Sequence, residues 1–225
     1  MRYAGVLIIA SLFLLGGSLA GAATNEAAKR NDRGAEMLKQ GKLDEALTQF
    51  QQAVTLDPGF LVAQQNLAYA YDQLGRADEA IIAYKRAIEL DPRNAFVFNN
   101  LGVLYTKKGQ NDEAIRVLEQ GLKIDPTNVT LQKNLENAKK NRDILQERET
   151  RIADAKKQAA ARPKDPQAAF AAARICAFYG QNDQALEWLG KALELGYYDP
   201  EGAKADVAFA ELKKDPRFLR IFEKP

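Results

Sequence analysis

Apolar residues through the middle of the chain recur at intervals of three and four rather than alternating. In the stretch 77–90, Ala80, Ile81, Tyr84, Ala87, Ile88 and Leu90 share one face of a 3.6-residue helix. Just before it, Leu67, Ala68 and Tyr71 share a face of another helix. Gly75 separates the two, and glycine accepts the left-handed conformation that a helix C-cap needs. Asp91-Pro92 ends the second helix, because proline disfavours helix in the residue before it. Asp78 stands near the start of that helix, where its carboxylate would cap free N–H groups. The pattern predicts a helical hairpin, with Ala80 and Ala87 small enough for two helices to approach closely.

The hairpin repeats every 34 residues. Asp-Pro occurs at Asp57-Pro58, Asp91-Pro92 and Asp125-Pro126, and Gly41, Gly75 and Gly109 keep the same spacing. So do Ala46, Ala80 and Ala114, each preceded by Asp-Glu. Large residues recur at Phe50, Tyr84 and Leu118, and small ones at Ala53, Ala87 and Gly121. One hairpin cannot bury its apolar faces alone, so successive copies must stack into a solenoid.

These residues resemble the tetratricopeptide repeat family, whose pattern is a large residue, Leu-Gly, Tyr, Gly, Ala, an aromatic, Ala and Pro at fixed offsets. The third copy carries Phe98, Leu101-Gly102, Tyr105, Gly109, Ala114, Leu118, Gly121 and Pro126 in these places. The second carries Gln64, Leu67-Ala68, Tyr71, Gly75, Ala80, Tyr84, Ala87 and Pro92. The first carries Arg30, Arg33-Gly34, Met37, Gly41, Ala46, Phe50, Ala53 and Pro58. Its two arginines replace apolar residues, as a terminal repeat with one solvated side would allow. The resemblance implies an all-α tetratricopeptide-repeat helical-hairpin solenoid with a long bridging helix. Three repeats are expected over 25–126, as 25–58, 59–92 and 93–126. Gly180, Asp183, Ala185, Leu189 and Ala192 match the same offsets and place a fourth repeat at 164–197.

Between the third and fourth copies, 127–161 holds neither glycine nor proline and reads as a long helix or linker. Leu131, Ala138, Leu145, Ile152 and Ala159 fall seven apart, but the alternate heptad positions Leu135, Arg142, Glu149 and Lys156 are mostly charged. A coiled coil needs both seams apolar, so a solvated bridging helix is the main expectation and a homodimer along the 131–159 stripe the alternative. Arg162-Pro163-Lys164-Asp165-Pro166 breaks the helix. Residues 198–225, with Phe209, Leu212, Phe218, Leu219 and Phe222, would form a C-terminal cap on the open end of the solenoid.

The N-terminus has a different character. Arg2 precedes an uncharged apolar run, Val6 to Leu15, followed by small residues up to Ala23. That is the three-part pattern of a secretory signal peptide, expected over 1–22 with cleavage after Ala20 or Ala22. The chain is then expected to be exported, periplasmic or secreted. The competing reading is an uncleaved membrane anchor over 4–23, just long enough to span.

Composition narrows the function classes. The sequence of 225 residues has 32 Lys+Arg against 30 Asp+Glu, which leaves no basic footprint for nucleic acid. It has no histidine, which removes His-based acid–base and nucleophile chemistry and nearly all zinc sites. Its single cysteine, Cys176, rules out an intrachain disulfide and reads as an inert core thiol in the place of Tyr71 and Tyr105. No phosphate loop or nucleophile elbow appears. Asp44-Glu45, Asp78-Glu79 and Asp112-Glu113 read as helix-start caps, and Asn128-Val129-Thr130 matches a glycosylation sequon only as chance would. No enzyme activity, cofactor or metal is expected.

Binding remains. By the resemblance, the first helix of each repeat lines a concave groove, at Asn31 and Ala35, then Val62, Gln65 and Tyr69, then Phe96, Asn99 and Val103, with Lys133 and Asn137 extending it. Amides would bond a peptide backbone and aromatic residues would hold side chains. Family members that clamp a C-terminal carboxylate use two lysines and an arginine along this groove. Asn31, Phe96 and Asn100 occupy the corresponding places and only Asn66 agrees, so that mode is excluded. The expected function is a non-enzymatic extracytoplasmic scaffold that binds a peptide or partner helix during cell-envelope complex assembly.

Overall fold

The computed structural model describes residues 4–197 and 199–222, without side chains for 4–20. The stretch read as an export signal therefore lies outside the described residues for nearly all its side chains. Among the described residues eleven helices follow in order: α1 (Ala4–Lys39), α2 (Leu43–Leu56), α3 (Leu61–Gln73), α4 (Ala77–Leu90), α5 (Ala95–Lys107), α6 (Asn111–Ile124), α7 (Val129–Ala161), α8 (Pro166–Phe178), α9 (Asn182–Glu194), α10 (Pro200–Ala205) and α11 (Pro216–Ile221). Two 3-10 turns, Val207–Phe209 and Leu212–Lys214, lie between α10 and α11. The described residues contain no strand, and no helix among them is long and apolar enough to cross a membrane. The chain forms two compact units, residues 1–141 and 142–225, with the boundary inside α7.

The first unit stacks three hairpins: α1 with α2, α3 with α4, and α5 with α6. Each turn carries a glycine in the left-handed region, Gly41, Gly75 and Gly109, at φ of 75°, 73° and 73°. There the Arg76 N–H returns to the Tyr71 carbonyl at 2.9 Å and the Gln110 N–H to that of Tyr105 at 2.9 Å, closing the first helix of the pair. Hairpin packing is set by one small residue facing one large one. Gly34 faces Phe50, Ala68 stands in the equivalent place to Tyr84, and Gly102 faces Leu118. A Cβ at Gly34 would lie 2.6 Å from the Phe50 ring, and one at Gly102 would meet the Leu118 side chain still more closely. Phe50, Tyr84 and Leu118 are fully buried and fill the core with Leu101, Leu104 and Leu131.

The second unit is built from α8 and α9, packed through Ala173, Cys176, Ala185, Leu189 and Ala192. Gly180 supplies the turn at φ 72°, as the offset predicts. The C-terminal segment then wraps an aromatic chain against this hairpin. Phe170 stacks on Tyr197 at 4.1 Å and meets Phe209 edge-on at 5.8 Å, and Phe209 leads to Phe218 at 5.8 Å. Of the residues expected to close the segment, Phe209, Leu212 and Phe218 are buried and Leu219 is exposed. Cys176 is fully buried, and burial pushes its thiol up from the ordinary range, which suits an inert core thiol.

Two sequence readings change. The acidic pairs are not caps: the cap positions of α2, α4 and α6 are Lys42, Arg76 and Gln110, none with a side-chain capping bond. The acids lie inside the first turn, where they complement the helix dipole, and they pair with cations. Glu79 holds Arg76 at 2.7 Å, Glu113 holds Arg116 at 3.1 Å, and Asp78 pairs with Lys108. The 131–159 stripe is consumed inside the chain. Leu131 and Ala138 are buried in the first unit's core, and Ile152 and Ala159 in the second's clusters. Leu145 alone of the five is exposed, so the stripe is not available as a seam between two copies. Asn128, the sequon residue, is tied into the start of α7. Its Oδ1 accepts from the Leu131 N–H at 3.1 Å and its Nδ2 donates to Asp125 at 3.0 Å.

Candidate peptide-binding groove

In the first unit the first helices of successive hairpins run side by side, and side-chain bonds join them. Asn66 Nδ2 on α3 donates to Asn31 Oδ1 on α1 at 2.8 Å. Asn134 Nδ2 on α7 donates to Asn99 Oδ1 on α5 at 2.8 Å. Lys107 on α5 reaches Asp72 on α3 at 3.0 Å. Each of these joins a residue to one 35 positions away. A scan at the 34-residue period compares equal positions and passes over such pairs, which was the signal available and missed.

The middle pair of this series breaks the pattern. Gln65 and Asn100 stand 35 apart like the others, but Asn100 Oδ1 accepts instead from its own neighbour, Asn99 Nδ2, at 3.4 Å. Burial holds the Tyr84 phenol well above the ordinary tyrosine range. Gln65 Nε2 is left without any hydrogen-bond partner. A buried donor left unpaired costs about 1–3 kcal/mol, so it is an unusual feature in an otherwise paired face.

The eight residues expected to line the groove divide accordingly. Asn31 is buried and Asn99 half-buried, and the side-chain oxygen of each is taken by the neighbouring repeat. Their amides therefore serve repeat–repeat cohesion first. Ala35 and Val103 are half-buried. Val62, Tyr69 and Phe96 are exposed to 47%, 44% and 64%, and all three lie on the first helices α3 and α5. Gln65 sits between Val62 and Tyr69, one helical turn from each. On the extension, Lys133 and Asn137 are exposed. The face offers apolar side chains and one unpaired amide. Among the described residues no group of three or more cysteine, aspartate or glutamate side chains is placed to hold a metal ion.

Sequence comparison matches the TPR repeat profile to residues 34–75 and 68–109, and the tetratricopeptide repeat profile to 95–128. Residues 34–128 are tetratricopeptide repeats. The groove lies on these repeats and on the helix ahead of the first match, and the paired helices and left-handed glycine turns are the tetratricopeptide arrangement. Among solved structures, the chain is similar to the first TPR domain of Spaghetti (RPAP3) bound to the HSP90 peptide SRMEEVD. They share 24% identity at a TM-score of 0.50, over 52% of this chain and 93% of that one. The Sgt2 TPR domain from Aspergillus fumigatus gives 19% identity and a TM-score of 0.51, over 54% of this chain and 82% of that one. The MamA protein gives 20% and 0.50, over 78% of this chain and 94% of its own. At these identities the likeness is one of fold. No curated protein matches the sequence.

Proposed function

We propose that the first-helix face of the tetratricopeptide repeats binds a peptide or a partner's helix, and that the chain works as a non-enzymatic scaffold outside the cytoplasm. The observation that carries this reading is the exposed set Val62, Tyr69 and Phe96 on an otherwise well-packed face. Tetratricopeptide repeats are protein–protein interaction modules, and the first TPR domain of Spaghetti holds a peptide in its structure. Large side chains left in water on adjacent first helices are what such a module presents to a ligand. The apolar run at 6–15 and the small residues after it support export. An exported binding scaffold suits assembly or maintenance of a cell-envelope complex. The partner is a protein or peptide.

The test is capture from a cell-envelope extract with the chain from residue 23 onward, beside its Tyr69→Ala/Phe96→Ala variant. A partner held by the first and lost by the second, at equal thermal stability, supports the groove. A partner held equally by both removes it. Export is tested separately, by fractionation and the N-terminal sequence of the mature protein. A chain recovered from the cytoplasm with residue 1 intact contradicts that half of the reading.

A further inference from the structure

In the first unit the second helix of each repeat buries the same three places against its own first helix. They lie 12, 8 and 5 residues before the proline that follows it, at Ala46, Phe50 and Ala53 ahead of Pro58 and at their equals in the next two repeats. Counted the same way from Pro163, they are Arg151, Ala155 and Gln158 on the second half of α7, and none of these is buried. Gln146 stands 17 residues before Pro163, where Gly41 stands before Pro58, and α7 runs straight through it. The stretch 147–161 therefore has no first helix of its own. The α8 helix shows the same vacancy. Ala171 and Ile175 lie nine and five residues before the turn glycine, in the places of Asn66 and Ala70. Asn66 bonds α1 and Ala70 is fully buried, whereas Ala171 is exposed and Ile175 only half-buried. Phe178 takes the place of Lys107, which reaches the preceding first helix at Asp72, and is 71% exposed. Arg151, Ala155 and Gln158 line one wall of an open groove of about 350 Å³, and Ala168, Ala171 and Ile175 the other. The far side of α8 is closed, since Phe170 stacks on Tyr197 and Arg174 pairs with Asp206 at 2.7 Å.

We propose that this groove is a second interaction surface, the seat of one amphipathic helix from a partner protein that takes the place of the missing first helix. It is independent of the first-helix face proposed above. Exposed alanines taken singly mean little. What points to an occupant is that the same places are covered in all three complete repeats. Both walls are helices whose main chain is already hydrogen-bonded, so an extended segment finds no backbone partner there, whereas a helix satisfies its own. From Arg151 to Arg162 the α7 wall runs about 17 Å, close to the span of the 13-residue helices α3 and α5. The pairing of sizes is reversed. In complete repeats a large residue, Phe50 or Leu118, meets a small one on the first helix, Gly34 or Gly102. Ala155 stands in the place of Phe50 and Leu118, so the incoming helix supplies the large side chain as a buried anchor. The rim carries both signs: Arg151 with Glu147 at 2.8 Å, Arg162 with Asp165 at 3.3 Å, and Asp154. The apolar stripe of the partner helix, rather than its net charge, decides the fit.

The probe is a library of amphipathic 13-residue peptides, the length of α3 and α5, held helical by a side-chain staple and selected on the full chain. The selected peptides are expected to carry Leu, Phe, Met or Trp at the centre of the apolar face. Ala155→Leu fills the vacancy from the protein's side, and Ala171→Glu puts a charge on an exposed part of the wall. Each should weaken binding at least about tenfold, with a melting temperature lowered by less than about 2 °C. Tyr69→Ala/Phe96→Ala should leave this affinity unchanged, which separates the seat from the first-helix face. Peptides held equally by Ala155→Leu and Ala171→Glu overturn the seat, as does a selection that yields none tighter than about 100 μM. Peptides that depend on Tyr69 and Phe96 instead belong to the first-helix face, and the seat falls. A mass that doubles with concentration, and returns to that of a monomer in Ala171→Glu, makes the occupant a second copy and overturns the separate partner.

Discussion

The dipeptide Asp-Pro does opposite work in the two units. In the first, Asp57, Asp91 and Asp125 follow α2, α4 and α6 as their C-caps, and the proline prevents the helix from continuing. In the second, Asp165, Asp199 and Asp215 are N-caps of α8, α10 and α11, and the proline is the first helical residue. The carboxylates follow suit. Asp91 turns to the Arg93 N–H at 3.0 Å in the loop, whereas Asp165 accepts from Gln167 and Ala168 inside the helix it opens. Helices α2 to α6 have no capping side chain at their N-termini. Their ends are held by glycine turns and by the next repeat. The second unit keeps one such glycine turn, Gly180 before the uncapped α9, and adds side-chain caps on α8, α10 and α11 and an aromatic cluster. A repeating architecture can leave its helix termini to packing, whereas the closing unit adds side-chain caps wherever Asp-Pro opens a helix.

That contrast can be broken where each unit concentrates its stability. Phe209→Ala removes the middle of the aromatic chain and is expected to cost the second unit about 3–5 kcal/mol. Hydrogen exchange should then accelerate in α8 and α9 and stay unchanged in α3 to α6. In the first unit the equivalent weak point is a glycine. Gly102→Ala should lose about 1–2 kcal/mol, although alanine is the better helix former, because its Cβ collides with buried Leu118. Gly102→Ala should cost less in a Leu118→Ala background than in the native chain, as a double-mutant cycle in denaturant would show. The caps come next. Asp165→Ala should cost about 1 kcal/mol, and Asp91→Ala only a few tenths by the same denaturant measurement. The smallest effect concerns acid. Asp215 is held below the usual carboxylate range, first by the Arg217 side chain, and Asp125 by the Asn128 and Thr127 side chains. Each contributes stability above its unfolded pKa that is lost as pH falls through its folded value. Asp215→Asn should flatten the acid limb of the second unit's melting curve and leave the first unit's alone.

The repeat itself was legible, because Gly75, Ala80 and Tyr84 recur in register and each has a packing reason to do so. Its cohesion was not, because the Asn31–Asn66 and Asn99–Asn134 pairs join unequal positions of neighbouring copies. Asp78 looked like a cap because acids crowd helix starts, yet the helix begins earlier, at Ala77 after Arg76. The spacing of Leu131 through Ala159 told that a face is buried but not by what, and two different cores divide it. At the groove, exposure of Val62, Tyr69 and Phe96 followed from the repeat offsets. The unpaired Gln65 did not, since the 35-residue pairing that joins Asn31 to Asn66 does not close at this position.

The central claim is that ligand meets the first-helix face of the tetratricopeptide repeats. A photo-crosslinking residue at position 96 tests it most directly against one at position 82. Ile82 is as exposed as Phe96, at 68% against 64%, but lies on a second helix. The account predicts partner adducts from position 96 that an excess of the unsubstituted chain suppresses, and none from position 82. Adducts from position 82 alone, or equal labelling at both positions, would contradict it.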